Sequence, residues 1–154
     1  MNKEDVVDKL GELVQLDYDA VHAYEQAINN TEHPTIRDNL VQFRHDHERH
    51  IAVLSTAISM LGGTPPKLSR DIKGFFIEGF TSIRSLSGTE GALKAMAANE
   101  KLTNHVYSEA FDLHLPANIH SIVERNYRDE QRHLRYIEEA IRNRIWERVA
   151  AHHA

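Results

Sequence analysis

Four long stretches of the chain repeat apolar residues every three or four positions, which is the spacing that places them on one face of an α-helix. In the first stretch, Leu10, Leu13, Val21 and Ile28 fall on one such face. No stretch alternates apolar and polar residues as a half-buried strand does, so the fold class is predicted to be all-α. The predicted helices cover about residues 3–29, 36–61, 89–113 and 118–148.

The connections between these helices differ in length, and their lengths predict the topology. The short breaks NNTEHPT and LPAN follow the first and third helices, so each pair of helices is expected to form an antiparallel hairpin. The connection between the hairpins, residues 62–88, is longer and has an apolar pattern of its own, including Phe76 and Phe80. Because long structureless loops are uncommon in compact domains, a short helix is predicted there. Two hairpins joined by one long crossover are typical of ferritin-like four-helix bundles, and residues 1–154 are expected to form one such domain.

Composition excludes several classes of function. The 154-residue chain contains no cysteine, which excludes disulfides, zinc–thiolate sites and thiol catalysis. Its formal net charge is −5 and its lysines and arginines do not cluster, so no nucleic-acid partner is expected. No apolar run approaches the roughly 20 residues that cross a bilayer, and the acidic start MNKEDVVDKL does not resemble a signal peptide. A cytoplasmic protein without a membrane partner is therefore expected.

Ionisable residues interrupt the apolar face of every predicted helix near its middle. Because a helix advances about 100° per residue, residues three, four or seven positions apart share a face. Glu100, for example, comes four residues after Met96 and seven before Tyr107. By this criterion, six residues are predicted to converge on one level of the bundle core: Glu25, His47, His50, Glu100, Glu130 and His133.

Three glutamates buried at one level need compensating positive charge, because an unpaired buried carboxylate is strongly destabilising. No lysine or arginine occupies the stripe positions, and divalent cations would supply that charge. Oxygen and imidazole ligands without thiolate suit iron, manganese or zinc. Taken singly, a histidine on an apolar face is more often a hydrogen-bonded core residue, and a glutamate there can mark a helix edge. The coincidence across four helices favours a metal site.

The motifs around these residues resemble a known family. One glutamate on each of two helices, plus Glu-x-x-His on each of the other two, is the pattern of ferritin-like di-iron carboxylate proteins. The segment DEQRH, Asp129 to His133, is similar to the Asp-Glu-x-Arg-His motif of bacterial multicomponent monooxygenases and to related rubrerythrin motifs. The segment DHERH, Asp46 to His50, is the same pattern with His47 in place of glutamate. The resemblance, to small rubrerythrin-like and ferritin-like bundles, covers roughly the whole chain.

This resemblance implies a role for each residue of the predicted site, with two iron ions as the cofactor. The segments AYEQAI around Glu25 and ANEKLT around Glu100 look like the single-glutamate helices, so each glutamate would be a terminal ligand of one ion. His50 and His133 would be terminal imidazole ligands, and Glu130 would bridge the two ions. Zinc and manganese are the alternative metals.

Several neighbouring residues have implied or open roles. Asp46 and Asp129 match family positions whose carboxylates accept the free N–H of a ligating histidine. His47 departs from the family, because a neutral imidazole cannot bridge two ions as a carboxylate does, and we expect it to bind one ion through one nitrogen. His22 could add a further ligand, although a contact with a ligand or a surface position is the simpler interpretation. Tyr18, Tyr107 and Tyr127 could donate hydrogen bonds or pass electrons, although aromatic core packing is the simpler interpretation.

The sequence leaves several functions open. The first is a redox-active di-iron site that reacts with dioxygen or peroxide, as an oxidase, a peroxidase or a ferroxidase-like protein. The second is a protein that binds zinc, manganese or iron without turnover, with a single metal if His47 weakens the second position. The third is a scaffold whose polar core only specifies helix pairing. A hemerythrin-like oxygen carrier is a further alternative, although such sites are richer in histidine, and a homodimer is compatible with a bundle of this kind.

Overall fold

The computed structural model describes residues 1–68 and 88–148. It contains no β-strand within those ranges, so the all-α prediction is confirmed. None of the helices in the described part of the chain is both long and apolar enough to span a bilayer. The short helix predicted in the crossover falls on residues outside the described ranges. The helices are α1 (Lys3–Asn29), α2 (Pro34–Met60), α3 (Gly88–Phe111) and α4 (Ala117–Arg142), followed by a 3₁₀ turn at Ile145–Glu147.

Local sequence explains where α1 begins and where α2 ends. Asn2 forms a capping box with Asp5, in which the side chain of each residue accepts a hydrogen bond from the backbone N–H of the other. At the end of α2, Gly62 adopts a φ of +82°, a left-handed conformation that glycine tolerates without strain. The N–H of Gly63 then donates back to the carbonyl of Ile58 at 2.9 Å, which satisfies a free carbonyl of the last turn.

The helices form the two antiparallel hairpins that the loop lengths predicted. Val6 and Leu10, at the start of α1, share one apolar cluster with Leu54 and Ile58, at the end of α2. The helix α3 packs against α4 in the same manner, and α1 also packs against α3. Of the four pairs of neighbouring helices, α2 and α4 contact each other least, so the seam between them is the loosest side of the bundle.

Two apolar clusters occupy the two ends of the core and leave a polar layer between them. One cluster contains Leu10, Leu54 and Val123, and the other contains Leu93 and Ile137. Because apolar side chains on both sides exclude water, charges in the layer interact more strongly than they would at a surface. The polar layer consists of six residues whose exposed fraction is 0%: Asp17, His47, His50, Glu100, Glu130 and His133.

The fourth helix is shorter than predicted. It ends at Arg142, and Arg144 then adopts a left-handed backbone with a φ of +46°. Ile145 and Trp146 therefore lie in the separate 3₁₀ turn, although both pack partly buried against the second apolar cluster. Their apolar character reflects this tertiary packing rather than a continuing helix. The third helix likewise ends at Phe111, two residues earlier than predicted.

Candidate metal centre

The polar layer contains five of the six residues that the sequence predicted to converge, and Glu25 is the exception. The side chain of Glu25 is 41% exposed, and its Oε2 lies 3.3 Å from Nδ1 of His22. The prediction that Glu25 lies on the core face was wrong. Tyr24 is fully buried in its place, and the next residue along a helix is rotated by about 100° away from that face.

Asp17 of α1 supplies the buried carboxylate that Glu25 was predicted to supply. Its Oδ1 lies 2.7 Å from Nδ1 of His47 and 3.0 Å from Nδ1 of His50, both on α2. Burial alone would raise the pKa of Asp17, but His50 and His47 outweigh it and hold the pKa below its usual value. Asp17 therefore remains ionised in the core.

A spacing in the sequence could have identified Asp17. Asp17 precedes Tyr24 by seven residues on α1, and Glu100 precedes Tyr107 by seven residues on α3. Each tyrosine crosses to the opposite helix, because the Tyr107 hydroxyl donates to Oδ2 of Asp17 at 2.5 Å and the Tyr24 hydroxyl donates to Oε1 of Glu100. The two acid–tyrosine pairs are thus reciprocal, and each tyrosine orients the carboxylate of the other helix.

Glu100 of α3 stands opposite Asp17 in the layer. Its Oε1 lies 3.2 Å from Nε2 of His47 and 3.3 Å from Nδ1 of His133. Its other oxygen accepts a hydrogen bond from the Thr103 hydroxyl at 2.9 Å. Burial raises the pKa of Glu100, but His133 and His47 outweigh burial and hold it well below the usual value.

Glu130 of α4 lies between the two sides. Its Oε1 is 3.3 Å from Nδ1 of His50 and 3.4 Å from Nδ1 of His47, whereas its Oε2 is 3.7 Å from Nδ1 of His133. Among the described residues, neither oxygen of Glu130 nor Nδ1 of His133 has a hydrogen-bond partner. Fully buried polar atoms without partners are rare in folded proteins. Burial and then Glu100 raise the pKa of Glu130, so this carboxylate is the least stable of the three as an anion.

Two aspartates orient the terminal histidines, as the family resemblance implied. Nε2–H of His50 donates to Oδ2 of Asp129 at 2.9 Å, and Nε2–H of His133 donates to Oδ2 of Asp46 at 2.8 Å. Each bond crosses between α2 and α4. When these rings are neutral, the hydrogen on Nε2 leaves the lone pair of Nδ1 directed into the layer, which is the arrangement of metal-ligating histidines.

Two arginines close the layer on the α2–α4 side. Arg132 donates to Asp46 at 2.7 Å and to Asp129 at 3.2 Å. Arg49 donates to Asp46 at 3.1 Å and also to Asp129. Burial raises the pKa of Asp46, but His133 and Arg132 outweigh it and hold the pKa well below its usual value. The aspartates therefore stay ionised as acceptors for the histidines.

In the absence of a bound ion, the imidazoles can balance the buried carboxylates. Burial would lower the pKa of His47, but Glu130, Asp17 and Glu100 raise it to about 9. The pKa values of the other two histidines in the layer are also raised well above the usual value. Protonated histidines thus offer the compensating charge that the sequence analysis assigned to divalent cations, and charge balance alone does not require an ion.

The donor atoms nevertheless form two groups that could each hold a metal ion. Within each group, one nitrogen or carboxylate oxygen per residue lies within 4.8 Å of all the others. His47 and Glu130 belong to both groups. Imidazole nitrogen and carboxylate oxygen together suit iron, manganese and zinc. The first group is Asp17, His47, His50 and Glu130, and the second is His47, Glu100, Glu130 and His133.

The neighbouring residues that the sequence left open lie in different places. Tyr107 contacts Asp17 directly, as described above. The rings of Tyr18 and His22 on α1 contact each other in a T-shaped arrangement, with ring centroids 4.6 Å apart. Tyr127 packs, partly buried, against the apolar cluster that contains Leu10. These last three residues lie outside both groups of candidate ligands.

A surface pocket of about 200 Å³ lies beside the polar layer, in the loose seam between α2 and α4. Its lining includes Arg49, Arg125 and the buried Asn126. Nδ2 of Asn126 donates to the Tyr107 hydroxyl at 3.3 Å, and that hydroxyl donates to Asp17. A small molecule in this pocket would therefore lie two hydrogen bonds from a candidate ligand.

Solved structures of other proteins share this architecture. A two-domain protein with DJ-1/ThiJ/PfpI-like and ferritin-like domains from Anabaena variabilis aligns with a TM-score of 0.77 at 14% identity, covering 100% of this chain and 41% of that protein. A ferritin-like, diiron-carboxylate protein from Bacillus anthracis aligns with a TM-score of 0.70 at 17% identity, covering 92% and 99% of the two chains. The bacterioferritin of Desulfovibrio desulfuricans gives 0.57 at 20% identity, with 96% and 85% covered. The fold is therefore ferritin-like.

At the level of sequence, one family accounts for most of the chain. No curated protein matches it. Residues 5–113, which include most of α1 and all of α2 and α3, match the family described as a domain of unknown function, DUF2383. Because this match covers well over half of the sequence, the chain belongs to the DUF2383 family.

Proposed function

We propose that this protein binds two transition-metal ions in its polar layer and uses them in a reaction with dioxygen or peroxide. Asp17 and His50 would hold one ion, and Glu100 and His133 would hold the other. Glu130 would contact both, because its two oxygens face opposite sides of the layer.

The observation that carries this proposal is a set of buried nitrogen and oxygen atoms that lie 3.3–3.7 Å from oppositely charged groups without forming a hydrogen bond. Both oxygens of Glu130 and Nδ1 of His133 have no hydrogen-bond partner among the described residues, although the exposed fraction of both residues is 0%. A core that served only to pair helices would be expected to satisfy these atoms, because each unsatisfied buried group costs about 1–3 kcal/mol. Two metal ions would satisfy all three atoms, one ion at Oε1 of Glu130 and the other at Oε2 of Glu130 and Nδ1 of His133.

Iron is the metal that we propose for a reactive site. The protein from Bacillus anthracis is described as a diiron-carboxylate protein, and the structure of the bacterioferritin contains a diiron site. Both share the fold of this chain, and the layer offers the nitrogen and oxygen ligands that iron accepts. Bound iron would supply one-electron redox chemistry and Lewis acidity toward a small oxygen species.

The residues of the chain would prepare the site rather than carry out electron transfer. Asp46 and Asp129 hold the ligating histidines in the tautomer that exposes Nδ1. Tyr24 and Tyr107 hold two of the carboxylates from the opposite helix. The apolar clusters above and below exclude water, and a small molecule in the pocket beside Asn126 would lie two hydrogen bonds from Asp17.

A protein that binds a metal without turnover is the second candidate. The specific observation in its favour is the first ligand group, in which Asp17, His47, His50 and Glu130 already provide four donors. Four protein ligands around one ion are typical of closed zinc sites that do not react. Zinc or manganese would then take the place of iron.

Metal analysis and an anaerobic ferrous titration test the proposal. Purified protein should bind two equivalents of Fe²⁺ and, on exposure to air, develop near-ultraviolet charge-transfer absorption as the iron is oxidised. Glu130→Gln should abolish both responses, whereas Glu138→Gln, an exposed glutamate on the same helix, should not. Stoichiometric zinc with no response to air would favour the second candidate. A folded protein that binds no metal would contradict both.

A further inference from the structure

We infer that His47 binds one ion only, through Nδ1, so that the two metal positions are chemically different. The position of Asp17 and His50 would be a closed site with four protein ligands, suited to zinc. The position of Glu100 and His133 would have three protein ligands and an open place for a small molecule. This inference rests on the proposed metal site.

The distances from Nδ1 of His47 to the neighbouring carboxylates are close to those between the ligands of one four-coordinate ion. Ligand atoms around one tetrahedral ion with bonds of about 2.0–2.1 Å lie about 3.3 Å from each other. Nδ1 of His47 lies 2.7 Å from Asp17 and 3.4 Å from Glu130, and Nδ1 of His50 lies 3.0 Å and 3.3 Å from the same two carboxylates. Three of these four distances are within about 0.3 Å of the tetrahedral value, and the fourth, 2.7 Å between His47 and Asp17, would lengthen around an ion.

The other nitrogen of His47 has a different partner. Nε2 lies 3.2 Å from Oε1 of Glu100, a distance and a partner that suit a hydrogen bond from Nε2–H. A histidine that ligates a metal commonly donates its second N–H to a carboxylate. The ring would therefore be neutral, with its lone pair on Nδ1 toward Asp17 and its hydrogen on Nε2 toward Glu100.

This assignment leaves the second position with fewer ligands. Glu100, Glu130 and His133 give it two carboxylates and one imidazole, without a nitrogen from His47. Closed sites with four nitrogen or oxygen ligands are typical of structural zinc, whereas sites with three protein ligands and an open place are typical of catalytic metals. The two positions would therefore differ in reactivity, because only the second would leave a place at which a small molecule could bind its ion.

Cobalt distinguishes the two positions, because four-coordinate Co²⁺ absorbs visible light far more strongly than Co²⁺ of higher coordination. Metal-free protein should bind two equivalents of Co²⁺ under anaerobic conditions, and only the first should give intense visible bands. His47→Gln should weaken that equivalent by about 100-fold or more. His133→Gln should keep the intense bands and lose the other equivalent. His45→Gln, an exposed histidine on the same helix, is the control.

Each outcome of this titration supports or overturns the inference. If His47→Gln and His133→Gln weaken both equivalents alike, or if the wild type gives no intense bands, then the assignment of His47 to one ion is wrong. Should His47→Gln fail to fold, one equivalent of Zn²⁺ added to the wild type decides instead. It should remove the intense cobalt bands and leave the second cobalt bound. A folded wild type that binds no cobalt contradicts the proposed function itself.

Discussion

The two hairpins of the bundle contribute equivalent frames but unequal donors to the polar layer. DHERH on α2 and DEQRH on α4 place an aspartate, an arginine and a histidine at matching positions. The frame of hydrogen bonds is reciprocal, because each aspartate accepts from the histidine of the opposite helix and each tyrosine donates to the carboxylate of the opposite helix. The two hairpins are therefore joined through the site.

The donors themselves differ in charge. The first hairpin contributes one carboxylate and two imidazoles, from Asp17, His47 and His50, whereas the second contributes two carboxylates and one imidazole. A single exchange, His47 where the family pattern has glutamate, produces most of this difference. A symmetric frame can thus present two unequal sets of donor atoms, because the frame orients the side chains and does not determine which atoms they offer.

Glu130→Gln is expected to have the largest effect on metal affinity, because one oxygen of Glu130 faces His50 of the first hairpin and the other faces His133 of the second. Replacing it should weaken both metal positions by more than about 100-fold, beyond the loss typical of residues that only support a ligand. Isothermal titration with Zn²⁺ and Fe²⁺ measures this loss, with Glu138→Gln as the exposed control on α4. A variant that keeps one position at full affinity would show that Glu130 serves a single hairpin.

Asp17→Asn should weaken one position by about 100-fold, because an amide removes the negative charge and one strong donor from the first hairpin. Glu25→Gln should leave metal affinity unchanged, because the Glu25 side chain is partly exposed and lies outside both ligand groups. The same titrations compare the two variants. The opposite ranking would restore the ligand set that the sequence predicted and overturn the one in the structure.

The pH dependence of stability should reverse in sign when metal binds. Without metal, the raised pKa of His47 stabilises the fold fully below the unfolded value of 6.5, and this contribution disappears as pH rises through about 9. It amounts to up to about 3 kcal/mol of the free energy of unfolding. Metal binding instead strengthens as pH rises, since it requires the unprotonated ring. Denaturant unfolding at pH 6 and pH 10, with and without Zn²⁺, measures both trends.

The variant His47→Gln is the control for the pH dependence of stability. His47→Gln cannot titrate at this position, so the loss of metal-free stability between pH 6 and pH 10 should be smaller in the variant. His50 and His133 will still contribute, because their pKa values are raised in the same direction. Metal-free wild-type protein that is equally stable at both pH values would contradict the charge distribution described for the layer.

Asp46→Asn and Asp129→Asn should have smaller effects on metal affinity. Each substitution should weaken the metal position of the histidine that belongs to the other motif. Asp46 on α2 supports His133, and Asp129 on α4 supports His50. Loss of such a partner typically costs 10–100-fold in metal affinity. Cobalt titrations should therefore show that Asp129→Asn weakens the strongly absorbing ion and Asp46→Asn weakens the other. Effects that follow the sequence order of the motifs would contradict the crossed arrangement.

The sequence predicted the frame more completely than it predicted the ligands. Helical periodicity identified the four helices, and the repeated motif identified His50, His133 and their aspartate partners. The face of α1 was harder to assign, because Tyr24 and Glu25 both continue its stripe and differ by only one residue. Which of the two is buried depends on how α1 packs against α3. In the sequence, the seven-residue spacing from Asp17 to Tyr24 is the signal that indicates the buried face.

The end of α4 shows a second limit of the same kind. Ile145 and Trp146 continue the apolar pattern of the helix, yet Arg144 adopts a left-handed backbone and the chain turns before them. Packing against the second apolar cluster accompanies this turn, and the local helix-ending signal is weak, because Asn143 stands where glycine or proline would give a stronger one. Local patterns therefore predicted that these residues pack against the core, but not that they do so from a 3₁₀ turn outside the helix.

Anomalous X-ray diffraction from crystals of metal-loaded protein tests the central claim most directly. The account predicts two peaks in the polar layer. One should lie within about 2.0–2.2 Å of Oδ1 of Asp17 and Nδ1 of His50, and the other at the same distances from Oε1 of Glu100 and Nδ1 of His133, with Glu130 contacting both ions. Fully occupied metal elsewhere, such as at Glu25 and His22, with no peak in the layer, would contradict it.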